Sequence, residues 1–385
     1  MTASSALHLL MLLAPISLAV TLLAHAAVFM VLAPKKRDDA PAPLITIFKP
    51  VKGAEPGLYE NLASLARQDY PAFEILVGAE HADDEALAVA RKVAADFPER
   101  RIEVLSGAHR LGLNPKVNLL ADHAAHEHWL ISDSNVRVGP RYLRETAAEL
   151  ADPRVGLVTN VLVGQGEGLG ALLENLHLGG FVACATSFAR VAGNRACVIG
   201  KSMLFRRKDL EKIGGFWAVR SVLAEDYVIG RSFELAGFKV AISPYVVSTV
   251  NEGWTVERFV NRHVRWAQMR RRLSPGAFLG ELFLNPILWI ALSLCTGRLD
   301  ARLVGLAAVG VAVKCGADAL VLRRLGHPPR LAQLMVIPAK DLLMAALWVV
   351  GAFRRTVNWR GNLLRIETGS QLVRESEPEL VQEAA

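Results

Sequence analysis

Cysteine is scarce, and what there is does not pair. Cys184, Cys197, Cys295 and Cys315 show no metal-ligand spacing, which excludes a cysteine-based metal centre and leaves the thiols to be read as reduced and structural. His123, His126 and His128 have no accompanying cysteine and run from a helix end into a strand, so zinc is set aside for a solvated helix terminus. Nucleic-acid-binding motifs are also missing. The net charge of +7 is carried by Arg and Lys residues beside apolar segments. No nucleic acid is therefore expected as a partner, whereas anionic lipid headgroups and a diphosphate suit such a charge. Finally, no basic residue precedes the apolar N-terminus, which disfavours a cleaved signal peptide.

What the chain has is apolar mass. With 385 residues and 52% apolar composition, it has room for one soluble domain of about 200 to 250 residues plus membrane segments. Residues 6–33 run almost without charge, broken only by Pro15 and polar residues such as His25, and end at Lys35, Lys36 and Arg37. This pattern predicts a retained membrane helix whose basic flank places the following domain in the cytoplasm.

From Pro41 strand and helix signals alternate. Buried-strand runs lie at 44–48, 73–79, 102–105 and 129–132. Helical patterns lie at 56–68, with Leu58, Leu62 and Leu65 on one face, and at 84–97 and 115–125. The alternation predicts an α/β fold with a parallel sheet and right-handed crossovers, whose ligands gather at the carboxyl ends of strands.

Three polar clusters stand at those ends. The first is Glu80, His81, Asp83, Asp84 and Glu85. Asp84 and Glu85 suit a helix N-terminus, which leaves Glu80 or Asp83 to receive the donors of a nucleobase or ribose. The second, Leu113 to Asn118, puts Lys116 in the first turn of a helix against the dipole, where a bound diphosphate would explain it. The third is Asp133, Ser134 and Asn135. Its carboxylate suits Mg2+ or Mn2+, which completes its shell with water and substrate phosphate. Each cluster also reads as a plain turn, because Asp and Asn are common after any strand.

Further on, Leu172, Leu173, Leu176 and Phe181 within 169–191 form a helical stripe that reads as core in preference to a bilayer contact. A strand beside Gly200 covers 200–206, and Gly214 and Gly215 mark a turn or a close approach to a ligand. Ala224, Glu225, Asp226 and Tyr227 then precede a basic amphipathic helix at 256–273. Phe259, His263 and Trp266 share one side of it with Arg262 nearby, while Arg270, Arg271 and Arg272 face solvent or headgroups. An alcohol is a poor nucleophile, so a carboxylate must take its proton as it attacks opposite a leaving diphosphate; Asp226 fits that role. Helical neighbours face different ways, so one of Glu225 and Asp226 is structural. Mg2+, Lys116 and the arginines would stabilise the departing charge.

The C-terminal region is apolar again. Residues 283–294 and 303–322 are candidate spans, and Lys314 and Asp318 are expected to pair inside the bundle. Residues 331–353 carry Pro338, Lys340 and Asp341. Two central charges cost about 5 to 7 kcal/mol against roughly 3 to 6 returned by the apolar residues, which favours a re-entrant or interfacial helix. Residues 366–385, with Glu375, Glu377 and Glu379, read as a disordered tail.

On these residues the chain resembles the ceramide glucosyltransferases, inverting nucleotide-sugar-dependent transferases of the GT-A type, over nearly its whole length. The resemblance rests on Phe48, Lys49, Pro50, Val51, Lys52 and Gly53, on the acids from Glu80 to Asp84, and on Gly112 to Asn118. It continues through Asp133, Ser134, Ala224 to Tyr227, Arg262, Arg265, Trp266, Trp359 and Arg360. It implies a Rossmann-like mixed sheet with transmembrane helices at both ends, UDP-glucose as donor, Mg2+ or Mn2+ as cofactor, and a ceramide-like membrane lipid as acceptor. By the same resemblance Glu80 or Asp83 contacts uridine, and Lys49 and Lys116 belong with the nucleotide. Asp133 holds metal and diphosphate, Asp226 is the general base, and Arg262, Arg265 and Trp266 hold the pyrophosphate and acceptor. Two positions depart from the pattern: Glu80 stands where Asp is expected, with an extra residue before Asp83, and Asp133 lacks a second carboxylate two residues on, which weakens its hold on a metal.

The expected division is an anchor at 1–37, a catalytic domain at 38–275, a membrane region at 276–365 and a tail at 366–385. A lipid transferase acting on a hopanoid, or with another sugar such as N-acetylglucosamine, is the runner-up. A polysaccharide synthase needs a channel that two or three C-terminal segments do not make, and a catalytically silent scaffold would lack an acidic site.

Overall fold

The computed structural model describes residues 3–34, 41–107, 113–114, 116, 126–296, 299–354, 356–359 and 362–374. The expected helix at 115–125 falls almost wholly outside them, with Lys116 the described member. Among the described residues one sheet holds β1 (Ile45–Pro50), β2 (Phe73–Ala79), β3 (Arg101–Ser106), β4 (His128–Ile131), β5 (Val136–Arg137), β6 (Val155–Gln165), β7 (Met203–Arg206) and β8 (Lys239–Val250). Their order is β3-β2-β1-β4-β7-β6-β8-β5. The four strands legible in the sequence, β1 to β4, are parallel. The sheet as a whole is mixed, not parallel, because β7 enters antiparallel between β4 and β6 and β5 runs antiparallel to β8. This is a mixed, Rossmann-like α/β sheet.

Pleating explains why both faces are covered. Phe48, Leu76, Trp129 and Phe205 pack on one face, and Ile47, Ile75, Leu130 and Leu204 on the other. The second face is sealed by α2 (Leu58–Ala66) and α3 (Glu85–Asp96). The first receives Val28, Val31 and Leu32 from the end of the N-terminal helix α1 (Ala3–Val31). The anchor is thus part of the domain's own core.

The stripe at 169–191 becomes α4 (Leu169–His177) and α5 (Ala183–Gly193), joined by a π-helical turn at Leu178–Val182. Of that stripe Leu173 and Leu176 are buried, while Leu172 and Phe181 are half-buried. After α6 (Glu225–Leu235) and α7 (Val256–Leu273), the chain runs into α8 (Pro286–Thr296), α9 (Ala301–Arg324) and α10 (Ile337–Phe353). A Cβ on Gly180 would lie 2.9 Å from the Asp318 carboxyl carbon, so the π-turn glycine lets α9 approach.

By length and composition four stretches can cross a membrane: Leu12–Val31, Leu169–Gly193, Ala301–Arg324 and Leu331–Phe353. Pro275–Leu284 and Pro286–Cys295 form a further pair bent by 67°. Lys314 pairs with Asp318 as expected, and His25 Nε2 lies 2.7 Å from the same carboxylate. Lys340 pairs with Asp341, so the charges counted against residues 331–353 are buried and matched, not facing lipid. Helix α10 also follows α7: Val336 and Leu347 share a cluster with Val260 and Val264, and Gly351 meets Ala267.

The expected tail needs correction over its first part. Leu372–Arg374 pairs with Asn362–Ile366, which pairs with Thr356–Trp359, forming β9 to β11 of a small antiparallel sheet. Leu364, Ile366 and Leu372 bury against Leu223, and that burial outweighs the polar composition on which the tail was inferred. Residues 375–385 lie outside the described residues.

Candidate active site

Asp133 follows β4, at the strand end where the sheet topology directs ligands. Its Oδ1 accepts from Lys116 Nζ at 2.8 Å, and its Oδ2 lies 3.1 Å from Lys201 Nζ. Lys116 Nζ also donates to the Gly200 carbonyl at 3.2 Å and stands 3.3 Å from Glu225 Oε1. Lys201 Nζ donates to Asn135 Oδ1 at 2.6 Å. Burial pulls the Lys116 ammonium down, but Asp133 and Glu225 outweigh it and hold it above its ordinary range. Burial likewise raises the Asp133 carboxyl, and the two lysines overcome it and keep that group well below the usual carboxylate range. Lys201 is lowered by burial, which Asp133 opposes and Arg262 reinforces.

Gly200 is the hinge of this cluster. A Cβ there would stand 2.8 Å from Lys116 Nζ and 3.1 Å from Asp226 Oδ2, so a side chain would have to displace the lysine head. Its N–H donates to Asp226 Oδ2 at 2.6 Å, and the Tyr227 N–H donates to Asp226 Oδ1 at 2.8 Å. Asp226 lies in the first turn of α6, where backbone donors favour a carboxylate. Glu225 turns the other way, toward Lys116 and the Asn114 amide, which donates to it at 3.2 Å. Burial, with help from Asp226 and Asp133 and against Lys116, pushes the Glu225 carboxyl up to about 7, and burial raises Asp226 as well.

The loop ahead of this pair is held from two sides. The Leu223 and Ala224 N–H groups donate to the Ser370 carbonyl at 2.9 Å and hydroxyl at 3.2 Å. The Leu372 N–H donates to the Ser221 carbonyl at 2.8 Å, and Asn114 Nδ2 to that of Val222 at 2.8 Å.

Helix α7 supplies the basic side. The Arg262 guanidinium lies 4.3 Å from the Trp266 ring centre and 5.2 Å from that of Trp254. Its Nε is 3.3 Å from Oε1 of Glu174, a fully buried carboxylate whose Oε2 is 2.7 Å from His263 Nε2. Arg265 is half-buried on the same helix.

Not every expected residue joins this group. Lys49 is fully buried beneath it, donating to Ser132 Oγ at 3.2 Å and the Val136 carbonyl at 3.1 Å, with burial lowering it to about 7. Its place among nucleotide-contacting residues is therefore corrected: it can reach a ligand only through Ser132 and Asp133. Glu80 is half-buried and Asp83 exposed beyond β2, two strands from β4, or about 10 Å at the usual strand spacing. Asp84 caps α3, accepting from Ala86 N at 2.9 Å and from Gly53 N at 2.8 Å, so the helix-terminus reading holds for it. Gly112, Pro115, Val117, Asn118 and Arg360 lie outside the described residues.

Sequence reasoning assigned no role to Lys201, Glu174 or Ser370. Glu174 had a signal, as the lone acid in the stripe at 169–191. Lys201 stood beside a glycine already noted, but nothing local ties it to Asp133.

Among the described residues no group of three His, Cys, Asp or Glu side chains could hold a metal alone. One carboxylate completed by substrate phosphates and water is nevertheless a set that Mg2+ accepts. Asp133 fits an ion that arrives with a diphosphate and displaces a lysine from one of its oxygens.

Comparison with known proteins gives the family. Residues 9–372 match the model of Glycosyl transferase family 21. Ceramide glucosyltransferase 3 of Caenorhabditis elegans is 29% identical over 257 residues, 64% of this chain and 55% of the relative. The ceramide glucosyltransferase of Komagataella phaffii is 30% identical over 208 residues, 46% of this chain and 40% of the relative. The chain thus spans about half the length of the curated relatives it matches. A mannosyltransferase of Pyrobaculum calidifontis, PcManGT, solved in complex with GDP-Man and Mn2+, covers 88% of this chain and 97% of its own at 19% identity. The TM-score of that pair is 0.49. The family match, nearly the whole chain long, decides the assignment: this chain belongs to glycosyl transferase family 21.

Proposed function

We propose that this protein is a membrane-bound inverting transferase that moves glucose from UDP-glucose to the primary hydroxyl of ceramide, with its catalytic domain on the cytoplasmic side. The observation that carries the reading is the convergence of Lys116, Asp133, Lys201 and Asp226 on Gly200. Two cations and two acids from four separate segments meet there, which suits a leaving diphosphate beside a general base. Asp226 takes the proton from the acceptor hydroxyl. The oxygen then bonds to the anomeric carbon from the face opposite the diphosphate, and the electron pair of the breaking carbon–oxygen bond leaves with UDP. Lys116 and Lys201 face the growing charge, and Arg262, stacked on tryptophan, offers its outer nitrogens. Mg2+ or Mn2+, held by Asp133 and diphosphate oxygens, would supply further charge neutralisation. Glu80 or Asp83 stands where the uridine would lie, and Arg265 and Trp266 complete the acceptor side.

The test is transfer of radiolabelled sugar from UDP-glucose, UDP-galactose and UDP-N-acetylglucosamine to ceramide by detergent-solubilised protein, with Asp226→Asn in parallel. Glucosylceramide from the native protein alone supports the reading, with a loss of about 10² to 10⁴ in rate for the variant. UDP release only with another lipid overturns the acceptor, and no turnover of any donor overturns the function.

A further inference from the structure

The loop after β1 and the first turn of α7 meet at the segment that follows Asp133. Glu55 Oε1 accepts from Arg258 Nη2 at 2.8 Å, across 203 positions of chain, and Glu55 Oε2 accepts from the Ser134 hydroxyl at 3.2 Å. One carboxylate thus holds both. Strand β1 lies beside β2, whose end carries Glu80 and Asp83, while α7 carries Arg262. The contact therefore joins the expected nucleotide side of the sheet to the basic helix.

Local structure does not explain either partner. Arg258 lies in the first turn of α7, where its N–H donates to the Thr255 hydroxyl at 3.1 Å and a cation runs against the helix dipole. Its guanidinium stacks 4.7 Å from the ring centre of Trp254, a buried ring that Arg262 shares at 5.2 Å. Glu55 stands between Gly53 and Gly57, whose φ values of 67° and 78° put a left-handed residue on each side of it. The backbone of the Asp133 loop is pinned separately. Asn61 Nδ2 donates to the Ser134 carbonyl at 3.1 Å, and the Val250 N–H donates to the Asn135 carbonyl at 2.7 Å. Glu55 adds the Ser134 side chain to what is fixed, next to the Asp133 carboxylate.

Stability does not account for the pair. The Arg258 and Glu55 side chains are 48% and 32% exposed, and an ion pair so open to water adds little to folding. The same exposure makes it easy to break, so the two walls can part as a nucleotide enters or leaves.

We propose that Glu55 and Arg258 form a strap across the donor site, a pair of positioning residues that hold the Asp133 loop and the first turn of α7 around the nucleotide diphosphate. The inference rests on the transferase reading of the Asp133 site and adds how the donor is retained. In full-length protein in nanodiscs with Mn2+, the dissociation constants of UDP and GDP are measured by titration, and the tighter nucleotide is followed through Glu55→Ala, Arg258→Ala and the double variant. Each single variant should weaken binding about fivefold, the upper range for an exposed charge pair, and the double variant no more than either single, because both break the same link. Glu55→Gln keeps both hydrogen bonds and should fall between the native protein and Glu55→Ala. The donor KM should rise in step, while kcat stays within about twofold and the unfolding temperature stays near native. Dissociation constants within about twofold of the native value in both single variants would overturn the strap. Effects that multiply in the double variant, or a lowered unfolding temperature with nucleotide binding unchanged, would do the same. Coupled weakening in a protein that transfers no glucose to ceramide would instead sustain the strap and overturn the proposed reaction.

Discussion

Glu174 and Arg262 set a sharp test of how the site is held together. The carboxylate is wholly shielded and the arginine side chain is 11% exposed, with 3.3 Å between Nε and Oε1. Truncating either partner leaves the other charge in a poorly solvated place, which costs about 3 to 5 kcal/mol. Removing both takes that penalty away, so Glu174→Ala with Arg262→Ala should cost less than the sum of the single variants by about 2 to 3 kcal/mol. His263 keeps part of the environment polar through its 2.7 Å contact with Oε2, which places the expected coupling below the full cost of a stranded charge. Thermal unfolding of the full-length chain in one detergent reads this directly. At roughly 2 to 4 °C per kcal/mol for a domain of this size, each single variant should lose at least about 6 °C. Additivity within about 0.5 kcal/mol would refute the reasoning and reduce the contact to a neighbourly one. Glu174→Gln separates the functional side: it keeps the shape, frees the guanidinium, and is expected to raise the donor KM more than it lowers kcat.

Lys116→Met and Lys201→Met each remove a charged hydrogen bond near the expected diphosphate; at about 1.5 to 3 kcal/mol, each should lower kcat/KM for UDP-glucose by roughly 10- to 150-fold. A selective loss in acceptor KM would place them elsewhere. Burial raises the Asp226 carboxyl, so kcat/KM should rise with pH through an ionisation above the usual carboxylate range, because the proposed base must be unprotonated. Glu225→Gln removes a like charge and should move that limb to lower pH; a limb that stays put rejects the coupling. The sign for stability is opposite. Glu225 is raised from 4.5 to about 7 in the folded chain, so stability falls as pH climbs through that window, and Glu225→Gln should lessen the fall in a pH series of unfolding curves. Ending the chain after Glu367 removes the Ser370 contacts to Leu223 and Ala224 and should lower kcat with UDP binding retained; wild-type turnover would make the C-terminal sheet an ornament.

What the sequence made legible has a common scale. β1 to β4, α7 and the Asp84 cap were readable because their signals are local: apolar runs, a 3.6-residue stripe, and a carboxylate bonding a backbone N–H two residues on. Lys116 stood out for a related reason, since a cation in the first turn of an expected helix would run against the dipole. The residues that escaped notice acquire their roles from far along the chain. Lys201 reaches Asn135 across 66 positions, Glu174 reaches His263 across 89, and Ser370 reaches Ala224 across 146. No window of ordinary length contains both partners. The misreading of Lys49 is of the same kind: its motif placed it at a strand end, but the pleat turned its side chain under Ser132 instead of toward a ligand. The errors therefore fall where tertiary contacts decide a side chain's environment. In this fold they include the C-terminal strands that brace the loop before Asp226 and the buried glutamate that meets an arginine, two supports contributed by segments that, by composition alone, read as a tail and a core stripe.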